Sequence, residues 1–277
     1  MFEMFGLSFI VNALIACLIM GFLLGYFGIH VVGRGIVFVD LALGQISSLG
    51  VALAEFLHYG DDWLPIIFTL LGAVLLSFIH TRDPRIKLEA IIGIIYVAAS
   101  AVTVLIISKS AHGDADIQEV LFGALLTVST AELVKLGVVF GVLALLHVLF
   151  RNQVYRITER MQAGEMAKPE WKDQTWNFFF YLSIGLAIVF AVRIGGVLPV
   201  FAYLVVPAVS ALMVSRRRWM IILVAMFNAG VASLAGLWFS YTFDFPAGPA
   251  IVAMFGIIFL GAVMYRLFWP KMVKSVR

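Results

Sequence analysis

Cysteine is nearly absent: Cys17 is the only one in 277 residues. No disulfide can form within the chain, and a thiolate metal cluster is excluded. Charge is scarce as well, at 13% of residues, and the net +3 is too small and too dispersed for a nucleic-acid surface. Histidines are few and scattered: His30, His58, His80, His112 and His147 include no pair at i and i+4, so no fixed structural zinc site can be read from them. The N-terminus lacks the basic region and small-residue cleavage site of a removable signal peptide, and the first apolar run is expected to be retained. Low-complexity stretches and fixed-period repeats are missing too.

What fills the chain is apolar. Hydrophobic residues make up 63% of it, arranged in stretches long enough for a bilayer core that needs about 20 residues per helix. Reading these runs against their punctuation predicts helices over 7–28, 35–57, 63–80, 89–108, 131–150, 176–195, 197–215, 219–241 and 248–268. The expected fold is an all-α integral membrane protein, a bundle of about nine transmembrane helices forming a single transmembrane domain over residues 1–277. The segment from Ile117 to Leu126 is apolar but too short to cross alone. It reads as a half-helix dipping into the bundle, which protein must cover because lipid cannot satisfy its backbone.

Orientation follows from Lys and Arg in the short loops. Arg82, Arg85 and Lys87, the segment from Arg151 to Lys172, the triplet Arg216, Arg217 and Arg218, and the tail with Lys271, Lys274 and Arg277 all fall on one side if the spans number nine. That side is expected to be cytoplasmic, where anionic lipid attracts it. The opposite loops carry Asp61, Asp62, Asp114, Asp116 and Asp244. The N-terminus is then outside and the C-terminus inside.

Asp40 is the conspicuous intramembrane acid. A carboxylate roughly five residues into a span must neutralise, pair or face water, so it is expected to point inward. Helical spacing sets Asp40, Gly44, Ser47 and Ser48 on one stripe, with Gln45 on its flank. This small, oxygen-rich surface could line a path. The plainer readings are that hydroxyls and small residues let helices approach closely, and that Asp40 pairs with Arg34 across the turn near Gly33 and Gly35. Glu89 opens the fourth helix, where a carboxylate meets the helix N-terminal partial charge, and capping is its plain reading. Pro207 frees a backbone carbonyl in the seventh span, either as a gate hinge or as a requirement of shape. The one long polar segment, Arg151 to Thr175, has a helical look over 158–166. It reads either as a solvated linker or as a docking helix for a cytoplasmic partner.

Four stretches carry a resemblance. They are "FVDLALGQISSLG" from Phe38, "EAIIGIIYVAAS" from Glu89 with "DIQEVLFGALLTVS" from Asp116, "RIGGVLPVFAYLVVPAVSA" from Arg193, and "SYTFDFPAGPAIV" from Ser240. In this order they resemble the permease subunits of ATP-driven (ABC) importers of zinc, manganese and iron, located in a bacterial-type cytoplasmic membrane. The resemblance implies a homodimer of permeases around a central path, two cytoplasmic ATP-binding subunits, and an extracytoplasmic metal-binding protein. The chain itself would perform no chemistry and bind no cofactor, with ATP held by the partner subunit. In such transporters a short helix after the fifth span seats in a groove of the ATPase. The similar segment here is Thr158, Glu159, Arg160, Met161, Gln162, Ala163 and Gly164, within the loop 151–175.

The chain departs from this family in one respect. The second helix there typically carries an aspartate and, four residues on, a histidine. Aligning on Gly50 puts Leu41 and Gln45 at those positions, with Asp40 displaced by one residue, roughly 100° around the helix. Losing imidazole removes a borderline ligand, and carboxylate, amide and hydroxyl oxygens favour harder ions such as manganese. The expected path residues are Asp40, Gln45, Ser47, Ser48, Glu89 and Pro207, with Asp40 as a transient metal contact, since a path must also release its ion. A permease for a chelated metal or other small nutrient is a second reading. A membrane-embedded enzyme is a third, disfavoured because it needs convergent polar groups and this chain offers one intramembrane acid.

Overall fold

The structure, a computed structural model, describes residues 2–60, 63–79, 85–109, 121–165 and 170–268. Among the described residues there are ten α-helices and two short 3-10 turns. In chain order the helices are α1 (Ser8–Arg34), α2 (Val39–Leu57), α3 (Leu64–Phe78), α4 (Leu88–Ile107), α5 (Thr130–Leu149), α6 (Arg151–Gln162), α7 (Trp171–Gly195), α8 (Val197–Val214), α9 (Arg218–Phe243) and α10 (Ala247–Phe268). Eight are long and apolar enough to cross a membrane, and α3 is apolar over a shorter 15 residues. Counted together they match the number of spans expected from the sequence.

Local chemistry sets the helix ends. Gly35 closes α1 in the left-handed region at φ 67°, its N–H bonding to the carbonyls of Val31 and Val32, a conformation glycine adopts without a Cβ penalty. A capping box opens α5: the Ser129 side chain accepts from the Glu132 N–H, and the Glu132 carboxylate accepts from the Ser129 N–H at 2.9 Å. Two orphan donors are satisfied at once.

α1 is the axis of the bundle. Its 27 residues extend about 40 Å, and it packs against α5, α6, α7, α8 and α9, while α2 is enclosed by α3, α4, α7 and α8. Small residues permit this. A Cβ at Gly28 would collide with the Leu204 carbonyl oxygen, and Ala208 lies just beyond, so α1 and α8 meet backbone to backbone. One contiguous apolar core runs through the bundle from Ile10 of α1 to Phe255 of α10.

Four boundaries differ from the sequence reading by four residues or more, among them the start of α2, which falls at Val39 rather than 35. α1 continues past residue 28 to Arg34, and α7 starts at Trp171 rather than 176, because buried polar side chains, treated in sequence as loop residues, extend both helices inward. The polar segment 151–175 is mostly helical: α6 begins at Arg151, ahead of the expected 158, since Val154, Ile157 and Thr158 give it a buried face. Of the expected half-helix, residues 121–122 are helical, Gly123 turns at φ 72°, and a 3-10 turn follows over Leu125–Thr127. Its start at Ile117 lies outside the described residues. So do His80, His112, Arg82, Asp61, Asp62, Asp114, Asp116, Lys271, Lys274 and Arg277.

Candidate functional site

The stripe on α2 lies inside the bundle. Asp40, Gln45, Ser47 and Ser48 are all buried, so the inward orientation expected for Asp40 is the one observed. Its depth is different: α2 begins at Val39, and Asp40 stands in the first turn rather than further along. There the helix N-terminal partial charge favours a carboxylate. Among the described residues, both carboxylate oxygens of Asp40 lack a hydrogen-bond partner, as does Ser47 Oγ. Ser48 Oγ donates back to the Gly44 carbonyl at 3.0 Å, and Gly44 itself faces Val192 and Val197. The stripe is thus closed on itself, with one acid and one hydroxyl left unsatisfied, a costly arrangement to keep without a use.

Pairing between Asp40 and Arg34 does not occur, because Arg34 is committed elsewhere. Its Nε donates to Thr158 Oγ1 at 3.1 Å and its Nη1 to Asn177 Oδ1 at 3.1 Å. The guanidinium lies 3.7 Å over the Phe180 ring, a cation–π contact strengthened by burial. His30 Nδ1 sits 2.9 Å from the same Thr158 hydroxyl, and that hydroxyl also donates to the Val154 carbonyl at 3.0 Å. Asn177 Nδ2 and Gln174 Nε2 in turn donate to the Ser77 carbonyl at the end of α3, at 3.2 and 2.9 Å. One buried network therefore joins the last turns of α1 and α3, the first turns of α7, and α6.

A second set of contacts fixes α6 from the side. Asp173 of α7, buried, receives Arg156 at 3.4 Å and also Arg160. Glu159 pairs with Arg218 at the start of α9, and the Arg218 guanidinium stands 5.2 Å from the Tyr155 ring. Burial pushes the Tyr155 hydroxyl above its ordinary titration range, so it stays neutral. Of the segment matched to the coupling helix, Thr158 points into the bundle, Arg160 and Met161 are half-buried, and Glu159, Gln162, Ala163 and Gly164 are exposed. α6 ends at Gln162, and in the turn after it Gly164 takes φ 75°. A rigid helix anchored on three sides with a free outer edge can pass a push into the bundle as rigid-body motion.

The other expected positions are more dispersed. Glu89 lies in the first turn of α4, half-buried, and contributes no side-chain cap. Pro207 is buried inside α8, one turn from the Gly28 contact. At the opposite end of the bundle, three glycines mark a junction of backbones. A Cβ on Gly196 would strike the main chain of Leu121, Phe122 and Gly123, and one on Gly248 the Phe122 carbonyl. Among the described residues no group of three or more His, Cys, Asp or Glu side chains converges to hold a metal ion. Sequence reasoning missed His30, Asn177 and Asp173. The available signals were a buried-type polar residue within an apolar run for the first two, and an acid amid arginines for the third.

The comparisons with known proteins agree with this layout. The model of the ABC 3 transport family matches residues 6–266. The chain is 26% identical over 265 residues to the manganese transport system membrane protein MntC of Halalkalibacterium halodurans, covering 95% of this chain and 89% of that protein. It is 28% identical over 254 residues to the manganese import system permease protein ScaB of Streptococcus gordonii, covering 91% and 89%. Among solved structures, PsaBC from Streptococcus pneumoniae in complex with Fab superposes with a TM-score of 0.76 at 26% identity, over 92% of this chain and 91% of that one. Matched from its first long helix to its last, the chain belongs to the ABC 3 transport family, as a multi-pass permease of the bacterial cytoplasmic membrane.

Proposed function

We propose that the chain is the membrane permease of an ATP-driven importer of a divalent metal ion, with manganese the favoured cargo. The observation that carries this reading is the full-length similarity to two manganese permeases. The chemistry of α2 supports it: a carboxylate, an amide and hydroxyls occupy the buried stripe, and no imidazole stands among them. Oxygen donors suit manganese better than zinc. An ion stripped of part of its hydration shell would meet Asp40 and Ser47, the two unsatisfied groups, with Gln45 beside them, and leave because no further strong ligand holds it.

In this reading two copies of the chain enclose the path, an extracytoplasmic binding protein delivers the ion, and the basic end faces the cytoplasm. There the outer edge of α6 and the turn after it, from Glu159 to Gly164, dock in a groove on each of two ATP-binding subunits. Their movement reaches α1 through Thr158 and α7 through Asp173. The test is uptake into vesicles carrying the chain with its ATPase and binding protein. ATP-dependent manganese accumulation exceeding that of zinc and iron is the expected result; turnover of a lipid or peptide by the chain alone would overturn the reading.

A further inference from the structure

Between α1, α5 and α9 the bundle carries a cleft of about 460 Å³. Ile19, Leu23, Gly141, Ala144, Ile222 and Met226 make its lining apolar, and Phe22 and Val148 on its rim are exposed, so it lies on the flank of the bundle. It is not apolar throughout. His147 and Tyr26 also line it, and His147 is only 2% exposed while neither of its ring nitrogens has a hydrogen-bond partner among the described residues. The Tyr26 hydroxyl is unpartnered among them too. Such groups are rarely left unsatisfied unless something else binds them.

At the basic-end mouth stands Arg151, one helical turn beyond His147. It makes no ion pair among the described residues, unlike Arg156 and Arg218, which are engaged with Asp173 and Glu159. A second hollow shares Arg151 and Tyr155 and is lined further by Arg156, Arg218 and Trp219, with Glu159 held by Arg218. Tyrosine and tryptophan at this level are typical of a membrane–water interface. From the depth of the cleft outward the order is apolar wall, buried hydrogen-bonding groups, free cation, polar hollow.

We propose that this cleft is a binding site for an anionic glycerophospholipid. An acyl chain lies along Gly141 and Ala144, the ester oxygens accept from Tyr26 and His147, and the phosphate sits at Arg151. Charge decides for an anionic headgroup: an unpaired arginine at the mouth of a pocket between membrane helices is the arrangement that binds acidic lipid heads. The occupant would brace α6 against α1 and α9, whatever ion the path carries.

Gly141 offers the test, because a Cβ there meets open space and Gly141→Phe fills the cleft without a clash at its root. The full chain is purified in mild detergent from membranes holding phosphatidylglycerol and phosphatidylethanolamine, and retained lipid is read by native mass spectrometry. The wild type is expected to retain phosphatidylglycerol about fivefold above its share of the membrane. Gly141→Phe should lose the retained lipid, with Ala144→Phe as a second filling variant if the first does not fold. Arg151→Gln should keep a lipid but lose the headgroup preference. Equal retention by the wild type and a folded filling variant, or no headgroup preference in the wild type, would overturn the site. Loss of dimer with no change in lipid would assign the face to a second copy instead.

Discussion

His30 Nδ1 and Thr158 Oγ1 lie 2.9 Å apart, from positions separated by 128 residues. The contact ties the axial helix to the short helix at the basic end, and Arg34 shares the same hydroxyl at 3.1 Å. Thr158→Val removes that hydroxyl while keeping the shape, leaving two buried donors or acceptors unmatched. A loss of about 1–3 kcal/mol is expected, visible as a lower Tm of the purified chain. Thr158→Ser should restore most of it, and a Val variant as stable as the wild type would remove this network from the account of α6.

Asp173 holds Arg156 and Arg160 against α7. With Asp173→Asn the bundle should still assemble, yet α6 should lose its lateral anchor. In the proposed importer, ATP hydrolysis by the ATP-binding subunits should then continue while uptake falls, since their movement would no longer reach α7. Measuring both rates in the same vesicles decides; if they fall in equal proportion, Asp173 has no part in transmission.

Among the described residues Asp40 has no partner for either oxygen. Asp40→Asn should abolish uptake and leave assembly intact, and because the amide brings no charge that burial would have to desolvate, the variant should melt no lower than the wild type. Undiminished metal accumulation would take Asp40 off the path.

Gln45→His introduces an imidazole beside the oxygen donors of α2. Selectivity should shift from manganese toward zinc, following ligand preference, in a competition assay with both ions present. An unchanged ratio would mean that position 45 does not touch the ion.

Gly28 and Gly141 make a matched pair. Gly28→Ala places a Cβ against the Leu204 carbonyl and should block folding or sharply lower yield. Gly141→Ala meets nothing and should stabilise its helix by up to about 1 kcal/mol. Thermal melts of the two variants check the contrast.

The spans were legible because lipid demands long apolar runs, and Val197 to Val214 or Ala247 to Phe268 could hardly be read otherwise. Helix ends were less so. Arg34 looked like a loop cation in sequence, and only its burial against Phe180, with Thr158 and Asn177 as partners, shows that α1 carries it inside. No local pattern announces such a meeting, since each partner comes from a different helix. Conversely, Gly195, Gly196 and Gly248 were quoted as parts of motifs before their reason was visible. Two of these three, Gly196 and Gly248, sit where main chains touch.

That touching has a mechanical consequence. Where the segment through Phe122 passes Gly196 and Gly248, main chain meets main chain, with the Pro199 ring beside Gly248. Backbones this close have little room to slide past one another, so a displacement of one stretch presses directly on the other two.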